Sequence, residues 1–209
     1  MTRAFFVTGI GTEIGKTVVS SILVEALGAD YWKPVQAGDL DYSDTMKVKN
    51  LVSNSRSDFH PERYRLTQPM SPHAAAAIDE VAIQLTDFHL PNTRNNLIVE
   101  GAGGLMVPLN QQDCMIDLIR YLNIPVVLVS QNYLGSINHT LLSIKVLEMY
   151  GVPIQGLIFN GEKNSATEQI IEKMGKVKIL GRVAAMTTID KNAIRQAAAT
   201  IDIKGLINA

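Results

Sequence analysis

The chain has 209 residues, 46% of them hydrophobic and only 6% aromatic, and carries a formal net charge of −1. That length buries roughly 70% of the unfolded surface in one core, so a single domain over residues 1–209 is expected. The balanced charge gives no footprint for nucleic acid or an anionic membrane, no apolar run approaches the ~18 residues of a membrane span, and the lone cysteine, Cys114, excludes an internal disulfide and a cysteine-cluster metal site.

Met1-Thr2-Arg3 leads straight into an apolar run with no signal-peptide pattern, which predicts a cytoplasmic protein. Apolar β runs and amphipathic runs then alternate. Strands are predicted over residues 4–8, 30–35, 96–100, 125–130, 153–160 and 177–182. Several are continuous Val/Ile/Leu stretches, as in strands buried on both faces of a parallel sheet. Helices are predicted over 16–27, 41–53, 78–88, 114–121, 136–150, 166–174 and 191–199. Ser71-Pro72 offers a further helix start before His73 and the alanines 74–77, and Gly151 reads as a helix-ending glycine. The pattern predicts an α/β fold: a doubly wound, mostly parallel sheet with helices on both faces. Ligands gather at the carboxyl ends of such strands, which here carry Thr8-Gly9, Lys33-Pro34, Glu100-Gly101, Ser130-Gln131, Asn160-Gly161 and Gly181-Arg182.

The first strand feeds Gly9-Ile10-Gly11-Thr12-Glu13-Ile14-Gly15-Lys16-Thr17 and then a helical run from Val18 to Leu27. A glycine-containing loop ending in Gly-Lys-Thr between strand and helix holds a nucleoside triphosphate. In that pattern the amides face the phosphates, a lysine, here Lys16, reaches the β/γ oxygens, and a hydroxyl, here Thr17, sits on Mg²⁺; the alternative is a structural loop that merely resembles one. The ordinary spacing would put glycine at position 10; Ile10 stands there and Gly9 leads, so the loop is one residue longer. In Tyr31-Trp32-Lys33-Pro34-Val35-Gln36-Ala37, the lysine either snorkels from a strand edge or aims its charge over the phosphates, where it would aid phosphoryl transfer. Asp41-Tyr42-Ser43-Asp44 opens a helix; Asp41 or Ser43 suits an N-cap, and Asp44 a second carboxylate for Mg²⁺. Glu100 ends a buried strand beside Gly101, Gly103 and Gly104. It is either a solvated turn residue or a hard-oxygen Mg²⁺ ligand with glycine backbone close to phosphate.

Taken in order, Thr8-Gly9, residues 12–17, Lys33-Pro34-Val35-Gln36, Ser43-Asp44, Ser71-Pro72-His73, residues 99–104, residues 135–139 and Asn160 closely resemble the dethiobiotin synthetase family. The resemblance runs from Phe5 to about Ala185. It implies a P-loop NTPase fold and a cyclo-ligase of biotin synthesis. ATP, CO₂ and 7,8-diaminononanoate would become dethiobiotin, ADP and phosphate, through a carbamate and a carbamic-phosphoric anhydride. It further implies that Glu13, Ile14, Gly15, Lys16, Thr17 and Val18 surround the phosphates, and that Thr17, Asp44 and Glu100 hold Mg²⁺. Gly101, Ala102 and Gly103 would line the reaction site, with Asn160 and Gly161 at the adenine edge and Ala184, Ala185 and Met186 flanking the base. Lys33 is implied as the catalytic lysine facing the carbamate, with Lys16 and Thr12 beside it. In a homodimer the substrate's tail carboxylate would lie at one subunit's helix start, Gly135-Ser136-Ile137-Asn138, where free amides suit an anion.

Two positions depart from the family pattern. Ala37 replaces a Ser or Thr that hydrogen-bonds the substrate, a loss of roughly 0.5–1.5 kcal/mol in binding. Val183-Ala184 replaces a proline-containing adenine-side loop. His73 either shapes the substrate cleft or only starts a helix. The competing reading is a partition or division-site regulatory ATPase, which acts through partner binding. Those carry an additional P-loop lysine, whereas no lysine lies between Thr2 and Gly15 and Gly11 occupies its place. The tail 201–206 is also not a basic amphipathic helix.

Overall fold

The computed structural model describes residues 3–207; Met1-Thr2, expected to enter the first strand, lie outside the described residues. The elements run β1 (Ala4–Gly9), α1 (Lys16–Leu27), β2 (Asp30–Trp32), β3 (Val35–Ala37), α2 (Asp44–Leu51), β4 (Phe59–His60), β5 (Tyr64–Leu66) and α3 (Pro72–Ile78). They continue β6 (Leu97–Gly104), α4 (Met115–Leu122), β7 (Val126–Gln131), α5 (Ser136–Met149), β8 (Ile154–Gly161), α6 (Ser165–Gly175), β9 (Ile179–Ala184), α7 (Lys191–Ala198) and α8 (Ile203–Ile207). Seven strands form a sheet in the order β4-β2-β6-β1-β7-β8-β9, and every pairing in it is parallel.

Alternation along each strand builds two cores. Phe5 and Val7 point into one with Ile22 and Leu23 of α1, Val48 of α2 and Ile194 of α7. Phe6 points into the other with Ile116 and Ile119 of α4, Ile144 of α5 and Ile171 of α6. A central strand buried on both faces needs apolar residues at every position, and Phe5, Phe6 and Val7 supply them. β1 lies between β6 and β7, where the chain changes from building one half of the sheet to the other. The carboxyl ends of β1, β2, β6 and β8 therefore surround one crevice. No helix among the described residues is long and apolar enough to cross a membrane.

Several local expectations are corrected. The strand predicted over 30–35 breaks at Lys33-Pro34: β2 stays in the large sheet, while β3 pairs with β5 in a separate two-stranded parallel sheet. Pro34 cannot donate to a ladder, yet its carbonyl accepts from Arg63 and Tyr64 N–H, which turns the chain towards β5. The helix predicted over 41–53 begins only at Asp44. Ser43, not Asp41, is its cap, with Oγ accepting from Met46 N–H at 3.4 Å, and residues 40–42 form a 3₁₀ turn. The helix predicted over 78–88 is absent. The helix start expected at Ser71-Pro72 is present as α3, which stops at Ile78; Glu80 then takes a left-handed conformation (φ 55°), and only a 3₁₀ turn at Leu85–Asp87 follows. Cys114 is half-buried as expected but caps α4 from outside, its N–H donating to Asp117 Oδ2 at 2.9 Å.

Candidate active site

The loop between β1 and α1 is shaped by two left-handed residues, Glu13 (φ 59°) and Gly15 (φ 87°). A Cβ on Gly15 would fall 2.1 Å from Asn160 Nδ2, so glycine is required by conformation and by space together. Asn160, at the end of β8, donates from Nδ2 to Ile14 O at 2.9 Å and ties the loop to the sheet. The first turn of α1 has no side-chain cap, which leaves its amides for an anion. Lys16 Nζ folds back on Gly11 O at 2.8 Å. Burial lowers its pKa to about 8, with the pull of Glu100 and the push of Lys33 partly cancelling. A buried ammonium held only by a carbonyl is prepared to meet phosphate.

Lys33 leaves the end of β2, and the β2–β6 register, Tyr31 opposite Ile98 and Trp32 opposite Val99, continues to place it beside Glu100. Its Nζ lies 2.6 Å from Asp44 Oδ2 and 3.1 Å from Glu100 Oε1. Burial alone would lower the pKa of this ammonium, but attraction to Glu100 and Asp44 outweighs it and the net shift is upward. Asp44 is likewise held below the usual carboxylate range: burial opposes ionisation, and Lys33 overcomes it. The snorkelling alternative is thereby excluded, since the Lys33 side chain is buried over the crevice.

Glu100 is buried and fully engaged. Its Oε1 accepts from Thr17 Oγ1 at 2.8 Å as well as from Lys33, and its Oε2 accepts from Tyr31 hydroxyl at 2.9 Å. Lys47 holds the outer oxygen of Asp44, Oδ1, at 3.1 Å. Gln36 Oε1 accepts from Asp44 N–H at 3.1 Å, which fixes the start of α2 above Lys33. Tyr31 and Lys47 carry no sequence signal beyond an ordinary core aromatic and a helix-surface lysine, and Gln36 only its place in the motif after Lys33-Pro34-Val35. Only the strand register and the placement of α2 bring them to the site.

Among the described residues no group of three or more His, Cys, Asp or Glu converges as a self-sufficient metal site. What converges is one oxygen each from Asp44 and Glu100, next to the Thr17 hydroxyl, with the Lys33 ammonium standing where a cation would sit. Two carboxylates and a hydroxyl beside a phosphate-binding loop fit Mg²⁺, which takes hard oxygens and keeps several waters.

These groups line one cavity of about 680 Å³ that gathers Thr12, Glu13, Gly15, Lys16, Thr17, Val18, Lys33, Ala37, Asp44, Glu100, Ala102 and Gly103. Other expected residues lie elsewhere. Ile14 is in the core, and Gly101 packs on the Phe6 ring. Gly161 pairs with Ala184 across β8 and β9, with Ala185 and Met186 in the loop beyond. Gly135, Ser136, Ile137 and Asn138 start α5 and do not line this cavity. A second cavity, of about 340 Å³, shares Thr12 and Val107 with the first and runs along α5 past His139, Leu142 and Val146. His73 turns to Ser71 Oγ at 3.0 Å and faces a different groove; Ser71, not His73, lines the main cavity.

Residues 3–193 match the family described as an AAA domain. The chain is 52% identical to the ATP-dependent dethiobiotin synthetase BioD of Christiangramia forsetii over 196 residues, covering 94% of each chain. It is 47% identical to the protein of the same name from Cytophaga hutchinsonii, covering 92% of this chain and 93% of that one. Among solved structures it resembles the cell division ATPase MinD of Pyrococcus furiosus, with a TM-score of 0.63 and 15% identity over 99% of this chain and 100% of that one. A ParA family ATPase from Chlorobium tepidum gives a TM-score of 0.57 at 13% identity, over 100% and 98% of the two chains. At such identities the structures share the fold alone.

Proposed function

The chain belongs to the family of ATP-dependent dethiobiotin synthetases, and from that premise we propose that it closes the ureido ring of dethiobiotin from 7,8-diaminononanoate, CO₂ and ATP, a ligase step of biotin synthesis. One amine of the substrate takes up CO₂ as a carbamate. A carbamate oxygen attacks the γ-phosphorus and ADP leaves. The second amine then attacks the carbonyl carbon of the mixed anhydride, and phosphate departs as the ring closes.

The physical difficulty is bringing two anions, carbamate and triphosphate, into contact. The observation that most supports the reading is the Lys33 ammonium, fixed by Asp44 and Glu100 in the same cavity as Lys16 and the start of α1. In our reading Lys16 and the amides around residues 13–18 hold the phosphates, and Lys33 faces the carbamate with Thr12. Held in a site largely shielded from water, these charges act on the reacting anions with little screening. Thr17, Asp44 and Glu100 would hold Mg²⁺, which when bound neutralises charge on the phosphates. Asn160 and Gly161 would lie at the adenine edge, with Ala184, Ala185 and Met186 around the base. The apolar groove past Leu142 and Val146 suits an aliphatic chain leading away from Thr12.

The enzyme would act as a homodimer. Gly135-Ser136-Ile137-Asn138 lie outside the main cavity, and Leu134 beside them is wholly exposed, as a segment serving the partner subunit's substrate would be. Residues 1–209 would form one domain acting in the cytoplasm. The test is phosphate release by the purified protein. Release requires diaminononanoate and bicarbonate together; steady ATP turnover without the diamine would favour a regulatory ATPase instead.

A further inference from the structure

Tyr31 has no part in the chemistry above, yet its hydroxyl lies inside the charged cluster. Its ring is fully buried in the middle of β2, packed on the same side as Ile98 and tilted against Phe59 at 6.4 Å. A phenylalanine would fill that space equally well, so packing does not account for the oxygen. The register does. Tyr31 lies opposite Ile98, and Glu100, two residues on, faces the same side of the sheet. Diagonal neighbours on adjacent strands are within reach of an aromatic side chain. The hydroxyl spans that diagonal and donates to Glu100 Oε2 at 2.9 Å.

The carboxylate is thus held from both sides. Thr17 and Lys33 engage Oε1 from the cavity, and Tyr31 engages Oε2 from the core. If Lys33 is to serve the substrate, its hold on Glu100 must loosen during the reaction, whereas Tyr31 stays where the core puts it. The last torsion of a glutamate is soft, so a carboxylate released on one side turns unless the other is fixed.

We propose that Tyr31 is a positioning residue: its hydroxyl locks the Glu100 carboxylate so that Oε1 stays presented to a divalent cation beside the nucleotide. The inference rests on the cation site proposed above, and the experiment separates the two. ADP affinity is titrated calorimetrically in EDTA and in Mg²⁺ for the parent protein, Glu100→Gln and Tyr31→Phe, and Mn²⁺ retention with ADP is followed by electron paramagnetic resonance. For Tyr31→Phe, ADP affinity in EDTA stays within about twofold of the parent. The gain from Mg²⁺ shrinks by about tenfold or more, as expected from losing a hydrogen bond to a charged group. In turnover the Mg²⁺ requirement rises while KM for the diamine holds.

Tyr31 acts through Glu100, so adding Tyr31→Phe to Glu100→Gln changes the Mg²⁺ response no further. Should Tyr31→Phe alone fail to fold, comparing Glu100→Gln with the double variant still decides. A further loss of Mg²⁺ response there overturns the proposal, and none supports it. A parent protein whose ADP affinity ignores Mg²⁺ overturns the cation site and Tyr31's role together. A parent that responds, with Tyr31→Phe responding equally, overturns Tyr31's role alone.

Discussion

Replacing Lys33 by alanine probes the cluster most directly. Its ammonium joins Asp44 Oδ2 at 2.6 Å and Glu100 Oε1 at 3.1 Å, and all three groups are largely shielded from water. Removing one partner from a buried ion pair costs about 3–5 kcal/mol, because it leaves an uncompensated charge inside. Here the lower end applies, since Lys47 still holds Asp44, and Tyr31 with Thr17 still holds Glu100. At about 2–4 °C per kcal/mol for a chain of this size, ~3 kcal/mol lowers Tm by about 6–12 °C in EDTA. Mg²⁺ should restore much of this by taking the ammonium's place, so it raises Tm more in Lys33→Ala than in the parent. Turnover falls by at least about 10²–10³-fold, the range for one preorganised charge. ADP affinity, carried by the loop and Lys16, stays within about threefold. Thermal unfolding with and without Mg²⁺, ADP titration and phosphate release measure all of this. Loss of ADP binding along with turnover, or an unchanged Tm in EDTA, would refute the reasoning.

Three further outcomes are expected. Lys16 has a pKa of about 8 in the free protein, and phosphate favours its charged form, so nucleotide binding takes up a proton above that pH. ADP affinity in EDTA should be flat below about 8 and fall by up to about one log unit per pH unit above it, and affinity unchanged to pH 9.5 would contradict this. Gly15→Ala forces alanine into a left-handed conformation with its Cβ 2.1 Å from Asn160 Nδ2. ADP affinity should drop by about 10–100-fold, with partial recovery in Gly15→Ala/Asn160→Ala. Leu134→Asp, at the exposed start of α5, should yield monomers in light scattering and raise KM for the diamine more than it lowers kcat. A dimer with unchanged KM would remove that segment from the proposed interface.

How much of this was legible in the sequence depended on whether the signal was local. β1, the loop and α1 were readable because an apolar strand, Gly15-Lys16-Thr17 and 3.6-residue periodicity occur within one short stretch. Residues 78–88 were not, because Ile83 and Phe88 are buried singly under a loop and Asp79 is drawn off to bind Thr67. Periodicity there imitated a helix that Glu80 ends. β4 and β5 have two and three residues, too few to show any alternation. Lys33 offered two local meanings, and the choice needed its contact with Glu100, 67 residues away. Tyr31 is the extreme case: on its own it is a core aromatic, and its hydroxyl gains meaning only from the β2–β6 register.

The fold itself does not separate a ring-closing ligase from a partition or division ATPase, since both are built on this sheet and loop. Space does not separate them either. A Cβ on Gly11 would meet nothing within 4 Å, so the backbone there leaves space for a side chain to begin, and this chain has none. In its place the Gly11 carbonyl accepts the Lys16 ammonium from within the same chain. The second cation proposed to act over the phosphates is Lys33, carried at the end of β2 and anchored by two carboxylates. A lysine supplied by a second subunit would deliver its charge only when the two subunits meet. A lysine fixed within the subunit delivers its charge whether or not a partner moves, which suits a bound substrate that must be neutralised at each turnover. If Lys33 faces the carbamate as proposed, the end of β2, rather than the fold, carries the distinction.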